Sequence, residues 1–148
     1  MDNELIRKVK EQAESLYLEG KFFCSEAIVS AIREYIAPDM PEVLIAAASG
    51  FPVGIGGSKC TCGAVSGAVI SLGYFFGRTE GGDAKVRECM QFAKEVHEEF
   101  RGKHGPLCCS VQTKGMDMKS REHVNQCASF TGSMAAKAAE IIIREGQS

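Results

Sequence analysis

Seven cysteines are spread along this 148-residue chain, at positions 24, 60, 62, 89, 108, 109 and 127. Thiols exchange with disulfides, bind soft metal ions, or pack as small apolar side chains. An odd count leaves at least one thiol unpaired within the chain, and the Cys-x-x-Cys spacing of thioredoxin-like sites does not occur. We therefore expect redox-active, metal-binding or buried thiols rather than a structural disulfide framework.

Cys62 is the leading candidate because it follows a glycine-rich segment, residues 49–60, and precedes a predicted helix. The first N–H groups of a helix have no partner within the helix and carry positive charge, so they should lower the pKa of a thiol placed there. Gly54, Gly56 and Gly57 would let further N–H groups turn toward one point. Such a nest suits a thiolate, a phosphate or a cluster sulfide, so these glycines are predicted cofactor-binding residues.

Three other cysteines, Cys24, Cys109 and Cys127, also lie at or near predicted helix starts. If those helix starts converge, the thiols meet in one patch that favours anionic sulfur. Burial on an apolar stripe explains Cys24 and Cys127 equally well. Cys60 and Cys108 are secondary candidates. Cys60, two residues before Cys62, could close a small disulfide with it or give a second metal ligand, whereas the adjacent Cα atoms of Cys108 and Cys109, about 3.8 Å apart, are too close for an unstrained disulfide.

The remaining cysteine and the three histidines are predicted to have packing or surface roles. Cys89 lies in mid-helix on an apolar face, which favours the core. His97 lies on the same face, and we expect it to be a core residue as well. His104 and His123 are predicted in loops or on the surface, and nothing in the sequence positions a Cys–His nucleophile pair.

The elements that must position these thiols are helical, because apolar residues recur at helical spacing almost throughout and no segment predicts a strand. The predicted helices or their apolar stripes cover residues 5–17, 24–35, 41–48, 62–76, 86–100 and, from 129 or 131, to 144. One further turn is expected around Cys108 and Cys109. The sequence predicts an all-α, irregular single-domain bundle of five to six helices, residues 1–148, with a glycine-rich loop before the central helix.

The net charge and the lengths of the apolar runs limit the classes of partner that the chain could bind. A net charge of -2 provides no basic surface for nucleic acid. No apolar run reaches the roughly 18 residues that span a bilayer, and the acidic start lacks the features of a secretory signal, so we expect a cytoplasmic protein without membrane contact. The small-residue pairs Gly63/Gly67 and Ala64/Ala68 allow close helix packing and permit a homodimer.

The segment Cys62-Gly63-Ala64-Val65-Ser66-Gly67 resembles the CGAxxG signature of the C_GCAxxG_C_C family, and the resemblance covers about residues 5–145. The early family cysteine corresponds to Cys24, in Cys24-Ser25-Glu26-Ala27-Ile28-Val29. The two later ones correspond to Cys109, which fits better than Cys108 when counted from Gly105, and to Cys127. The resemblance implies a redox role for these four cysteines, whereas Cys60 and Cys108 look like additions to the pattern.

Three functions stay open at this point. In the first, Cys62 attacks an oxidised, unidentified redox partner and a second cysteine resolves the bond, without a cofactor, as in a thiol-disulfide oxidoreductase. In the second, an iron–sulfur cluster or zinc is held by a set of four thiolates. In the third, the protein is a non-catalytic helical interaction module. The four predicted ligands of the second function are Cys24, Cys62, Cys109 and Cys127.

Overall fold

Seven helices and no β-strand make up the part of the chain that the structure, a computed structural model, describes, residues 2–146. The predicted all-α class is therefore confirmed, with five long helices and two short ones. The helices are α1 (Asp2–Leu18), α2 (Cys24–Tyr35), α3 (Val43–Ala47), α4 (Gly63–Phe76), α5 (Lys85–His104), α6 (Cys109–Gln112) and α7 (Arg121–Gly146).

A shared apolar core holds the long helices together. Helix α7 packs against α1, α2, α4 and α5, and α4 lies between α2, α5 and α7. The predicted stripe of α1 is confirmed, since Val9 and Ala13 are completely buried. Ile28 and Ile32 of α2 are also completely buried, and burying such a side chain contributes about 1.5–3 kcal/mol.

Helices α2 and α4 cross so closely that two positions of α4 have no room for a side chain. A Cβ atom on Gly67 would lie 2.7 Å from the Cα of Ser25, and one on Gly63 would lie 2.6 Å from the Cys24 Sγ. The close approach predicted from the small residues is thus found within the chain, between α4 and α2. Packing explains both glycines of the CGAxxG segment.

Helix α7 begins earlier than predicted, at Arg121 instead of residue 129 or 131. The Ser120 hydroxyl accepts a hydrogen bond from the N–H of His123 at 3.1 Å and caps the helix. Cys127 consequently lies in the second turn of α7. Its predicted position before a helix start was wrong, and its own N–H is not an unpaired group at a helix end.

The buried face of α5 matches the predicted stripe in part, since Val96 and Phe100 are completely buried. Phe92 is also buried, at 7% exposed, and its ring packs against Phe76 at 4.8 Å, whereas Met90, which the predicted stripe over residues 86–100 includes, is 66% exposed. The prediction for His97 was also wrong, because its side chain is 45% exposed and lies 3.3 Å from a Glu98 carboxylate oxygen. The aromatic contact with α4 decides which side of α5 faces inward.

His104 is the last residue of α5 and is partly buried, not a loop or freely exposed residue. Its ring lies 5.0 Å from that of Phe100 and 4.7 Å from that of Phe130, and its Nε2 is 3.2 Å from the Ser133 hydroxyl.

Within residues 2–146, the helices are all too short or too polar to cross a membrane.

Candidate functional site

One cavity of about 660 Å³ collects cysteines from four separate parts of the chain. The four are those predicted to converge: Cys24, Cys62, Cys109 and Cys127. Apolar side chains provide much of the remaining wall: Leu18, Phe22, Phe23, Val53, Met118 and Val124. Because α1, α2, the start of α4, α6 and α7 all contribute, the site exists only when the helices are assembled.

Cys24 is the first residue of α2, as predicted. The Glu26 carboxylate accepts a hydrogen bond from the N–H of Phe23 at 3.1 Å and fixes the start of the helix. Burial raises the pKa of the Cys24 thiol well above its ordinary value, and the nearby Cys62 sulfur adds to the effect. The N–H groups of Ser25 and Val53 favour the thiolate but do not offset burial.

Cys62 is the N-cap residue of α4, so its predicted place at the helix start is confirmed. The N–H groups of Ala64 and Val65 favour its thiolate, although neither forms a capping hydrogen bond of ordinary geometry. The predicted fall in pKa is wrong, because burial raises the pKa of Cys62 to about 11. The helix terminus is outweighed by the loss of solvent around the sulfur.

A short antiparallel bridge explains which member of each close cysteine pair lines the cavity. Thr61 pairs with Cys108, the Cys62 N–H donates to the Leu107 carbonyl at 2.8 Å, and the Cys109 N–H donates to the Cys60 carbonyl at 2.5 Å. Successive side chains of such a pair point to opposite sides. Cys62 and Cys109 line the cavity, whereas Cys60 and Cys108 do not.

The surroundings of Cys108 lower the pKa of its thiol, although this residue lies outside the cavity. Its sulfur lies 2.9 Å from the Ser110 hydroxyl, which favours the thiolate together with the N–H groups of Val111 and Ser110. Burial instead raises the pKa of Cys109, against the effects of Lys59 and Thr113. A thiol whose pKa is lowered therefore lies outside the cavity, and the pKa values of the four cavity thiols are raised.

Cys127 contacts two side chains that could exchange a proton with it. The Tyr17 hydroxyl is hydrogen-bonded to its sulfur and favours the thiolate, although burial raises the pKa of Cys127 overall. The His123 Nε2 lies 3.3 Å from the same sulfur. His123 is 6% exposed and lines the cavity, so its predicted surface position was wrong.

The glycine-rich loop follows an unusual backbone path. Residues 53–57 all have positive φ, including Val53 at 55° and Ile55 at 68°, a region that β-branched residues rarely adopt. Gly54 lines the cavity, and a Cβ atom there would collide with the backbone of Lys59 and Cys60. This glycine therefore lets the loop close on itself.

The predicted convergence of N–H groups in this loop is seen only in part. The Val53 N–H favours the Cys24 thiolate, but the Gly57 N–H donates to the Pro52 carbonyl at 3.3 Å. Gly56 and Gly57 are exposed and do not line the cavity. The nest expected around Gly54, Gly56 and Gly57 is corrected accordingly, since the loop's own carbonyl accepts the Gly57 donor.

Cys89 and the possible metal ligands complete the set of predicted site residues. Cys89 is partly buried against the core and does not line the cavity, as predicted for a packing residue. Across residues 2–146, no three histidine, cysteine, aspartate or glutamate side chains are arranged to hold a metal ion. The thiols line one cavity without forming a recognisable ligand set.

Comparison with known proteins identifies a family. The family model described as "Putative redox-active protein (C_GCAxxG_C_C)" matches residues 22–141, which include all four cavity cysteines. No curated protein and no solved structure matches the chain.

Proposed function

This chain belongs to the C_GCAxxG_C_C family, and we propose that it transfers electrons by forming and breaking a disulfide between cysteines of one cavity. The observation that carries the proposal is the meeting of Cys24, Cys62, Cys109 and Cys127 around a single cavity. These residues are far apart in sequence, so their meeting depends on the fold. All four thiols are unpaired in the structure.

The electrostatic contacts favour Cys62 and Cys127 as the central pair. A thiolate at Cys127 raises the pKa of Cys62, and thiolates at either position raise that of Cys24. Cys109 affects both Cys62 and Cys127 in the same direction. Such effects act over short separations, which supports a disulfide between neighbouring sulfurs of the cavity.

The overall reaction converts two thiols into one disulfide and releases two electrons and two protons. A disulfide partner R–S–S–R′ accepts them and leaves as RSH and R′SH. We propose a cytoplasmic setting, in which the reducing conditions return the protein to its thiol form after each cycle.

Counting thiols tests the proposal. Anaerobically purified, reduced protein is titrated with a mild disulfide oxidant, the remaining thiols are alkylated, and the new bond is mapped by mass spectrometry. We expect two thiols to disappear, reversibly, with the bond joining two cavity cysteines. Cys62→Ser and Cys127→Ser should abolish this bond, whereas the matched control Cys89→Ser should leave it unchanged.

Two results would contradict the proposal. Oxidation that joins only Cys60 and Cys108 would place the chemistry outside the cavity. Metal or a visible absorption band in the anaerobic protein, lost together with the thiol count when Cys62 is replaced, would favour a metal-binding function instead.

A further inference from the structure

A single contact between a cavity thiol and a side-chain base stands out in the described residues. His123 and Cys127 lie one turn apart on α7, which places both on one face of the helix. The His123 Nε2 is 3.3 Å from the Cys127 Sγ. The ring is 6% exposed, and its Nδ1 has no hydrogen-bond partner among the described residues.

We propose that His123 is the general base for Cys127, and that Cys127 attacks a small apolar disulfide bound in the cavity. This inference rests on the proposed function and names its attacking thiol and its substrate class. It replaces Cys62 as the expected nucleophile.

The other cavity thiols have no comparable base. Backbone N–H groups favour the thiolates of Cys24 and Cys62. The Lys59 charge and the Thr113 hydroxyl favour the thiolate of Cys109. Such groups stabilise a thiolate but cannot remove the proton, which an imidazole can. The titratable and charged groups around the pair are Tyr17 from α1, Cys24 and Glu26 from α2, Cys62, Cys109, Lys21 and Lys59.

The two ring nitrogens of His123 have different roles. When Nε2 accepts the thiol proton, a neutral ring bears its proton on Nδ1, and the protonated ring bears one on each nitrogen. The Nδ1–H of His123 is therefore a donor throughout the reaction.

The reaction consists of an attack by Cys127 and a second attack by Cys62. His123 takes the proton of Cys127, and the thiolate attacks one substrate sulfur, forming a Cys127–S–S–R bond and breaking the substrate's S–S bond. The leaving thiolate takes the proton from His123 and departs as R′SH. The Cys62 sulfur then attacks the Cys127 sulfur, and the Cys62 proton passes to the expelled substrate sulfur, which departs as RSH. The protein is left with a Cys62–Cys127 disulfide and is oxidised by two electrons.

The walls limit the substrate to small apolar molecules. Leu18 and Phe23, which line the cavity, are 53% and 58% exposed, so apolar surface continues outward from the site. A volume of about 660 Å³ accommodates an aromatic disulfide. A large, highly charged disulfide would lose hydration along this mostly apolar wall, where Lys21, Lys59 and Glu26 are the charged residues of the lining.

The test uses the full chain with Cys60, Cys89 and Cys108 replaced by serine, so that only cavity thiols react. Reaction with 2,2′-dithiodipyridine is followed by stopped flow, with oxidised glutathione as the large charged comparison. His123→Gln keeps a polar group near Nε2 and His123→Asn keeps one near Nδ1, but neither is a base. His104→Gln is the matched histidine control.

We expect both His123 variants to react roughly 100-fold more slowly at neutral pH, the usual effect of a lost general base. The difference should shrink at high pH, where the thiolate forms unaided, and His104→Gln should match the parent. Oxidised glutathione should react more slowly than 2,2′-dithiodipyridine, relative to each reagent's rate with free cysteine. Adding Cys62→Ser should trap the mixed disulfide on Cys127.

An unchanged rate in folded His123 variants, or a first mixed disulfide on another cysteine, would overturn the assignment. The mapping uses no His123 variant and decides the attacking residue even if those variants misfold. Oxidised glutathione reacting equally fast would overturn the substrate class. Failure of any cavity disulfide to form would instead refute the proposed function, so the two failures are distinguishable.

Discussion

Replacing Gly67 by alanine should weaken the contact between α2 and α4 on which the cavity depends. The new Cβ atom would lie 2.7 Å from both the Cα and the carbonyl oxygen of Ser25, against 3.4 Å for the closest ordinary contact. The backbones of α2 and α4 must therefore separate by at least 0.3 Å, the difference between 3.0 and 2.7 Å, and by 0.7 Å to reach an ordinary contact. Cys24, the first residue of α2, would move with it.

The expected cost follows from two opposing terms. Overpacking of this kind costs about 1–3 kcal/mol, while alanine gains about 1 kcal/mol over glycine in a helix. Gly73 lies on the same helix, and a Cβ atom added to it would have no neighbour within 4 Å, so Gly73→Ala should give only the gain. The two variants should differ by about 2 kcal/mol, or about 4–8 °C in Tm for a chain of this size.

Urea unfolding followed by circular dichroism measures the difference directly, and the thiol count after mild oxidation shows whether the cavity disulfide still forms. Gly67→Ala should be less stable than the parent, and Gly73→Ala slightly more stable. Equal stabilities for the two variants would show that α2 and α4 do not approach as closely as described, and the packing explanation of the CGAxxG glycines would be wrong.

Three further outcomes can be checked. The Arg144 and Lys137 contacts lower the pKa of Glu95 to about 2, so its contribution is complete above pH of about 4.5 and lost as pH falls toward 2. Because Glu95 is about one-third exposed, Glu95→Gln should remove about 1 kcal/mol at pH 7 and nothing near pH 2, by urea unfolding. At pH 7, iodoacetamide should label Cys108, whose pKa is lowered, before Cys62, whose pKa is about 11. The labelling rate of Cys62 should increase more than that of Cys108 as pH rises. Mass spectrometry of each site measures the order, and the reverse order would show that burial does not control Cys62. Ile55, which is 48% exposed at φ 68°, should gain about 1 kcal/mol on replacement by glycine, and a loss in urea unfolding would contradict the strain assigned to it.

Local pattern was sufficient for much of the fold. Apolar spacing located α1, α2, α4 and α5, because a helix that packs on a core must present an apolar stripe at its own period. The start of α7 was missed although Ser120, three residues before His123, is a capping signal. Part of the buried face of α5 was missed because the contact between Phe92 and Phe76 joins residues that are distant in sequence.

The sequence by itself predicted which four cysteines come together: their spacing and the CGAxxG segment selected Cys24, Cys62, Cys109 and Cys127, and these four line one cavity. Only the tertiary structure decided how those thiols behave. A helix start predicts a lowered thiol pKa, but the pKa also depends on how far other helices exclude solvent from the sulfur. At Cys62 the effect of burial is larger than that of the helix start. The same assembly buries His123 beside Cys127, a contact that depends on where α7 begins and on what packs against it.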